Sequence, residues 1–172
     1  MNIEELLKDK AIKPKEKTEM ISEALLDKTL SIDKLLDFAA KAKDPAKATC
    51  IEAVEFATKQ QPAIADQKVL SFVTQSLTAK APRVKWESAK VIGNIAHLFP
   101  AKLDDAIANL LTNTEHEGTV VRWSAAFALG EILKLKTKHN TDLLPAAEAV
   151  CEREEKNSIK KIYNAAFKAL KK

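Results

Sequence analysis

Few residues in this chain have the types and spacing that chemistry requires. His97, His116 and His139 lie far apart and lack the short spacing of metal ligands. Glu115-His116-Glu117 is the densest ionisable cluster. As an acid-base or metal triad it would need a fixed geometry, and it sits instead in a predicted loop before a helix. Asp104-Asp105 places two carboxylates side by side, but adjacent helical residues point in different directions. A negative first turn favoured by the helix dipole accounts for them. Cys50 and Cys151 form no CxxC or Cys/His motif, so they read as buried thiols of a reducing compartment. No glycine-rich phosphate loop, HExxH motif or nucleophile elbow is present. The expectation is a protein that is not an enzyme, with no catalytic residues, cofactor or metal.

The elements that would carry these residues are helices. The 172 residues are 46% hydrophobic and 30% charged, which excludes a disordered chain. Three glycines and one tyrosine argue against an all-β fold. Apolar residues recur at helical spacing throughout, and no stretch sustains a period of two. Prolines at 14, 45, 62, 82, 100 and 145 are expected to open helices, because proline fits a first turn and breaks an interior. Asp44-Pro45 gives the clearest start, with Asp44 as the expected cap.

A repeat underlies this punctuation. Trp86 and Trp123 lie 37 residues apart, as do Gly93 and Gly130, and Ala89 and Ala126. Val121-Arg122 with Ala125, Leu129, Gly130 and Ile132 is the fullest copy. Val84-Lys85 with Ser88, Ile92, Gly93 and Ile95 is the second, and Ala46-Lys47 with Cys50, Val54 and Ala57 is a third, offset by 38. A period in this range marks a helical solenoid. The pattern resembles the HEAT repeat, including its bilin-lyase-like subtype, strongest over residues 82–133. The Asp-Pro opening of that family is intact only at Asp44-Pro45; Ala81-Pro82 and Gly118-Thr119 stand at the later sites.

The resemblance implies an all-α, right-handed α-α superhelix of about four antiparallel helix pairs plus a terminal helix. The whole chain, 1–172, reads as one repeat domain. Its units are expected at about 14–43, 44–80, 81–117 and 118–156, with a terminal helix over 157–172. It also implies that the second helix of each pair lines the concave side, exposing polar positions such as Lys34, Gln67, Ser71, Asp104 and Asp142.

Two columns of side chains recur across the units. Trp86, Trp123, Phe127, Tyr163 and Phe167 fall at or near equivalent sites. They form either an apolar interaction or self-association surface, or a wedge between successive first helices. Lys47, Lys85 and Arg122 form a basic column, either an edge that meets acidic or phosphate groups or a ladder of contacts to neighbouring helix ends.

Function is expected to be that of a non-catalytic protein-binding scaffold whose protein partner the sequence does not identify. Nucleic-acid binding is the alternative, supported only by a net charge of +4 with Lys and Glu interspersed. A lyase-like or chaperone role in cofactor attachment is suggested by the repeat subtype alone. The acidic amino-terminal stretch has no long apolar run, so no signal peptide or membrane span is expected, and the cytoplasm is the default location.

Overall fold

Ten α-helices follow one another with no strand between them in the computed structural model, which describes residues 1–172. They are α1 (Ile3–Lys8), α2 (Pro14–Leu26), α3 (Ile32–Lys41), α4 (Asp44–Gln60), α5 (Gln67–Ser76), α6 (Pro82–Ile95), α7 (Asp104–Asn113), α8 (Thr119–Lys134), α9 (Asn140–Arg153) and α10 (Asn157–Leu170). Single 3-10 turns at Pro62–Ile64 and Ala96–Leu98 follow α4 and α6.

Local chemistry sets the boundaries. Ser31 and Asp66 accept hydrogen bonds from the backbone N–H groups of Lys34 and Val69, at 3.2 and 3.1 Å, and so begin α3 and α5. Pro14 and Pro82 occupy first positions as expected. Three expectations change. Lys43 holds the cap position of α4, and Asp44 lies inside the first turn, where the helix dipole favours its charge. Pro62 and Pro100 precede α5 and α7 without opening them. Pro145 lies inside α9, because the helix already starts at Asn140. Burial of Leu143, Ala147 and Val150 holds α9 together across the missing N–H.

The helices form two layers. The even-numbered helices stack side by side in chain order, and the odd-numbered helices cover one face of that stack. Each odd-numbered helix packs more closely on the helix that follows it than on the one before it. The units are therefore α1–α2, α3–α4, α5–α6, α7–α8 and α9–α10. The expected repeat is shifted by one helix, and α10 is half of a complete pair rather than a terminal helix on its own.

Small residues bring the even-numbered helices together. Ala53, Ala57, Ala89, Ala125, Ala126 and Ala128 are all buried, between larger residues such as Ile51, Ile92, Leu129 and Ile132. Full burial of each such large aliphatic side chain contributes about 1.5–3 kcal/mol. The odd-numbered helices meet one another only sparsely. Gln67, Ser71 and Asp104 line furrows of the odd-numbered layer, with volumes of about 720 Å³ between α3 and α5 and about 660 Å³ between α5 and α7.

Candidate interaction surface

The amino-acid order of α8 places Val120, Trp123 and Phe127 along one side of the helix, at spacings of three and four. Val120 is 49% exposed and Trp123 is 38% exposed. The Trp123 and Phe127 rings stack with centroids 6.0 Å apart and planes 8° from parallel. Phe127 is half-buried because its ring lies over Gly93 of α6, where a Cβ would overlap it. The pair thus joins both readings of the aromatic column: Phe127 wedges between even-numbered helices and stacks with Trp123, which stays exposed.

The other aromatic sites differ. Trp86 is half-buried on α6. Tyr163 is wholly buried and is removed from the expected surface, since Ile159, Tyr163 and Ala166 form the inward side of α10. Phe167 stacks on it at 6.4 Å and stays half-buried. Burial raises the pKa of Tyr163, whose hydroxyl has no hydrogen-bond partner.

The basic column is engaged with helix ends. Lys85 donates from Nζ to the Leu77 carbonyl at 3.1 Å and to Asn113 Oδ1 at 3.2 Å. Arg122 donates from Nη1 to the carbonyls of His116 and Glu117, at 3.1 and 2.9 Å, and pairs with Glu154 at 3.1 Å. Burial alone would raise the pKa of Glu154. The hydrogen bond and charge of Arg122, with the N–H groups of Glu155 and Lys156, outweigh it and lower the pKa. Lys17 and Lys160, absent from the expected column, make the same kind of contact, to the Leu7 carbonyl at 2.8 Å and the Glu152 carbonyl at 3.4 Å. Lys47 instead places Nζ 5.5 Å from the centre of the Phe72 ring. Four of the five pairs are thus clasped at their own turn by a cation on the even-numbered helix.

The Glu115-His116-Glu117 loop is a structural turn. His116 Nδ1 accepts from the Gly118 N–H at 2.8 Å, and Glu115 lies 3.6 Å from Arg153. His139 bridges Asp104 and the Pro100 carbonyl at 3.4 and 3.0 Å. No group of three or more His, Cys, Asp and Glu side chains is arranged to hold a metal ion.

The sequence reading missed a carboxylate cluster between α4 and α6. Glu52 accepts from the Thr18 hydroxyl at 2.7 Å and lies 3.6 Å from Arg83. Lys90 Nζ is 3.3 Å from Glu87 and 4.0 Å from Glu55. Burial raises the Glu55 pKa and lifts that of Glu87 to about 7, helped by a hydrogen bond with Glu52. Glu87 is 1% exposed, and its Oε2 has no partner when both carboxyls are ionised. A proton on Glu87 would turn this carboxyl into a donor toward Glu52, in keeping with its raised pKa. The visible signal was three glutamates beside the alanine stripes of two helices. Their convergence depends on stacking that spacing alone does not give.

No protein-family model matches the sequence, and no curated protein matches it. Solved structures do. A designed armadillo repeat protein in complex with the peptide (KR)4 superposes with a TM-score of 0.72 at 16% identity, covering 97% of this chain and 79% of that one. Computationally designed armadillo repeat proteins for modular peptide recognition give a TM-score of 0.73 at 17% identity, covering 97% and 80%. An engineered protein gives 0.61 at 15% identity, covering 99% and 97%. Likeness at this level of identity carries the architecture alone: the chain has the armadillo-like, all-α fold of an α-α solenoid.

Proposed function

We propose that the protein is a non-catalytic scaffold that holds an extended peptide segment of a partner protein across its even-numbered helices. The observation that carries this reading is Trp123, exposed by more than a third and stacked on Phe127. Rigid, partly exposed aromatics supply much of the affinity of protein interfaces at small ordering cost. The designed neighbour that holds the peptide (KR)4 supports the reading by its fold. The aromatic stripe selects an apolar residue of that segment.

Less supports the alternatives. Lys17, Lys85, Arg122 and Lys160 are occupied with carbonyls, which leaves the basic column little to offer a nucleic acid. A lyase-like role needs reactive thiols. Cys50 and Cys151 are buried, and burial pushes the Cys50 pKa up to about 12.

The test is selection of linear peptides from a random display library, followed by titration using tryptophan fluorescence. Trp123→Ala is expected to weaken the selected peptides by about tenfold or more, equivalent to at least ~1.4 kcal/mol. Peptides that bind the variant and the parent equally would sink the proposal. Loss of the titration signal together with a concentration-dependent sedimentation coefficient would identify the stripe as a self-association surface instead.

A further inference from the structure

A concave feature lies away from the α8 stripe. A groove of about 840 Å³ opens where the ends of α1, α2, α3 and α4 converge, with Arg83 of α6 at its far side. Its volume falls within the usual range of small-molecule sites, about 300–1,000 Å³. Leu7, Phe38 and Ala46 contribute apolar surface, and each is half-buried.

The charge around this apolar floor is one-sided. Lys8, Lys17, Lys41, Lys43 and Arg83 line the groove against a single carboxylate, Glu4. Glu4 is held by Lys8 at 2.7 Å, which leaves four cations without a carboxylate among the lining residues. Lys17 already donates to the Leu7 carbonyl, and Arg83 lies 3.3 Å from Thr49 and 3.6 Å from Glu52. Lys41 and Lys43 are exposed and make no side-chain hydrogen bond or ion pair. These two ammonium groups are therefore free to meet a ligand. The first turns of α2 and α4, at Pro14 and Pro45, add the positive ends of two helix dipoles. Elsewhere on the chain Lys and Glu are interspersed, so a groove with this imbalance stands apart from the mean composition.

We propose that this groove binds a small amphipathic anion: an apolar chain or ring ending in a carboxylate, sulfonate or phosphate. The apolar part lies on Leu7, Phe38 and Ala46, and the head group lies between Lys41 and Lys43. An apolar floor alone would accept a neutral molecule equally well, and free lysines alone would accept any anion. Their juxtaposition demands both properties in one ligand.

The probe is 8-anilino-1-naphthalenesulfonate, compared with N-phenyl-1-naphthylamine, the same ring system without the sulfonate. The sulfonate is expected to saturate at one molecule per chain, about tenfold more tightly than the neutral dye. Decanoate should displace it. The double variant Lys41→Gln, Lys43→Gln should weaken the sulfonate by about tenfold and leave the neutral dye unchanged. Both side chains are exposed and unpartnered, and circular dichroism verifies that the fold is retained. Equal affinity for the two dyes, or undiminished sulfonate binding by the variant, would overturn the proposal. So would amide resonance shifts centred on α8 instead of on α1, α3 and α4. A hexaglutamate peptide that binds where the dye and decanoate do not would replace the small ligand with an acidic protein segment.

Discussion

The Phe127 ring occupies the space that a Cβ at Gly93 would need. Glycine in a helix interior is ordinarily a weakness of about 1 kcal/mol relative to alanine. Here it is the notch that lets α8 approach α6. Gly93→Ala should therefore destabilise the protein by about 1–2 kcal/mol in urea unfolding, despite the better helix propensity. In a Phe127→Ala background the same change should be neutral or stabilising. A Gly93→Ala protein more stable than its parent would show that the ring is not seated as described.

Glu87 links stability to pH. Its carboxyl titrates near 7 in the folded protein, against an ordinary value of 4.5. Between those values the native state binds more protons than the unfolded state, so stability falls as pH rises from about 4.5 to 7. The loss at pH 8 is on the order of 3 kcal/mol. Glu87→Gln keeps a donor for Glu52 and removes the ionisable group. The variant should be more stable than the parent at pH 8 and about equal to it at pH 5. Parallel stability–pH curves for the two proteins would contradict this.

Tyr163 carries a buried hydroxyl with nothing to bond to. An unsatisfied polar group in the core is unfavourable by about 1–3 kcal/mol. Tyr163→Phe preserves the ring stack on Phe167 and is expected to be neutral or stabilising by up to about 1 kcal/mol. A fall in melting temperature would mean that the hydroxyl has a partner in solution, such as a bound water.

The helices and their apolar stripes were legible because each is set by local spacing. Ala125, Leu129 and Ile132 are buried at their expected positions, and Ser31 caps α3. The grouping of helices was less legible. A 37-residue period is unchanged when the unit boundary moves by one helix, so the spacing of Gly93 and Gly130 cannot say which neighbour α7 favours. Pro145 misled because tertiary burial of Leu143 and Ala147 outweighs one missing hydrogen bond. Tyr163 sat at a site equivalent to Trp123 in the repeat, yet the inward side of α10 includes it. The glutamate cluster and the cation-rimmed groove were hidden for a different reason. Glu52 and Glu87 meet only through the stacking of α4 on α6, and the groove draws its lining from five helices. A linear pattern records neither.

The pairing of each odd-numbered helix with its successor also bears on how the chain folds. Each pair is joined by a short turn, and four of them carry a cation that fastens that turn, as Lys85 does at Leu77 and Arg122 at His116. Every pair is thus a local hairpin whose contacts close over short loops, with low entropic cost. Contacts beyond a pair reach mainly the next even-numbered helix. Such a chain has low contact order and can nucleate at any hairpin, then grow outward by adding neighbours.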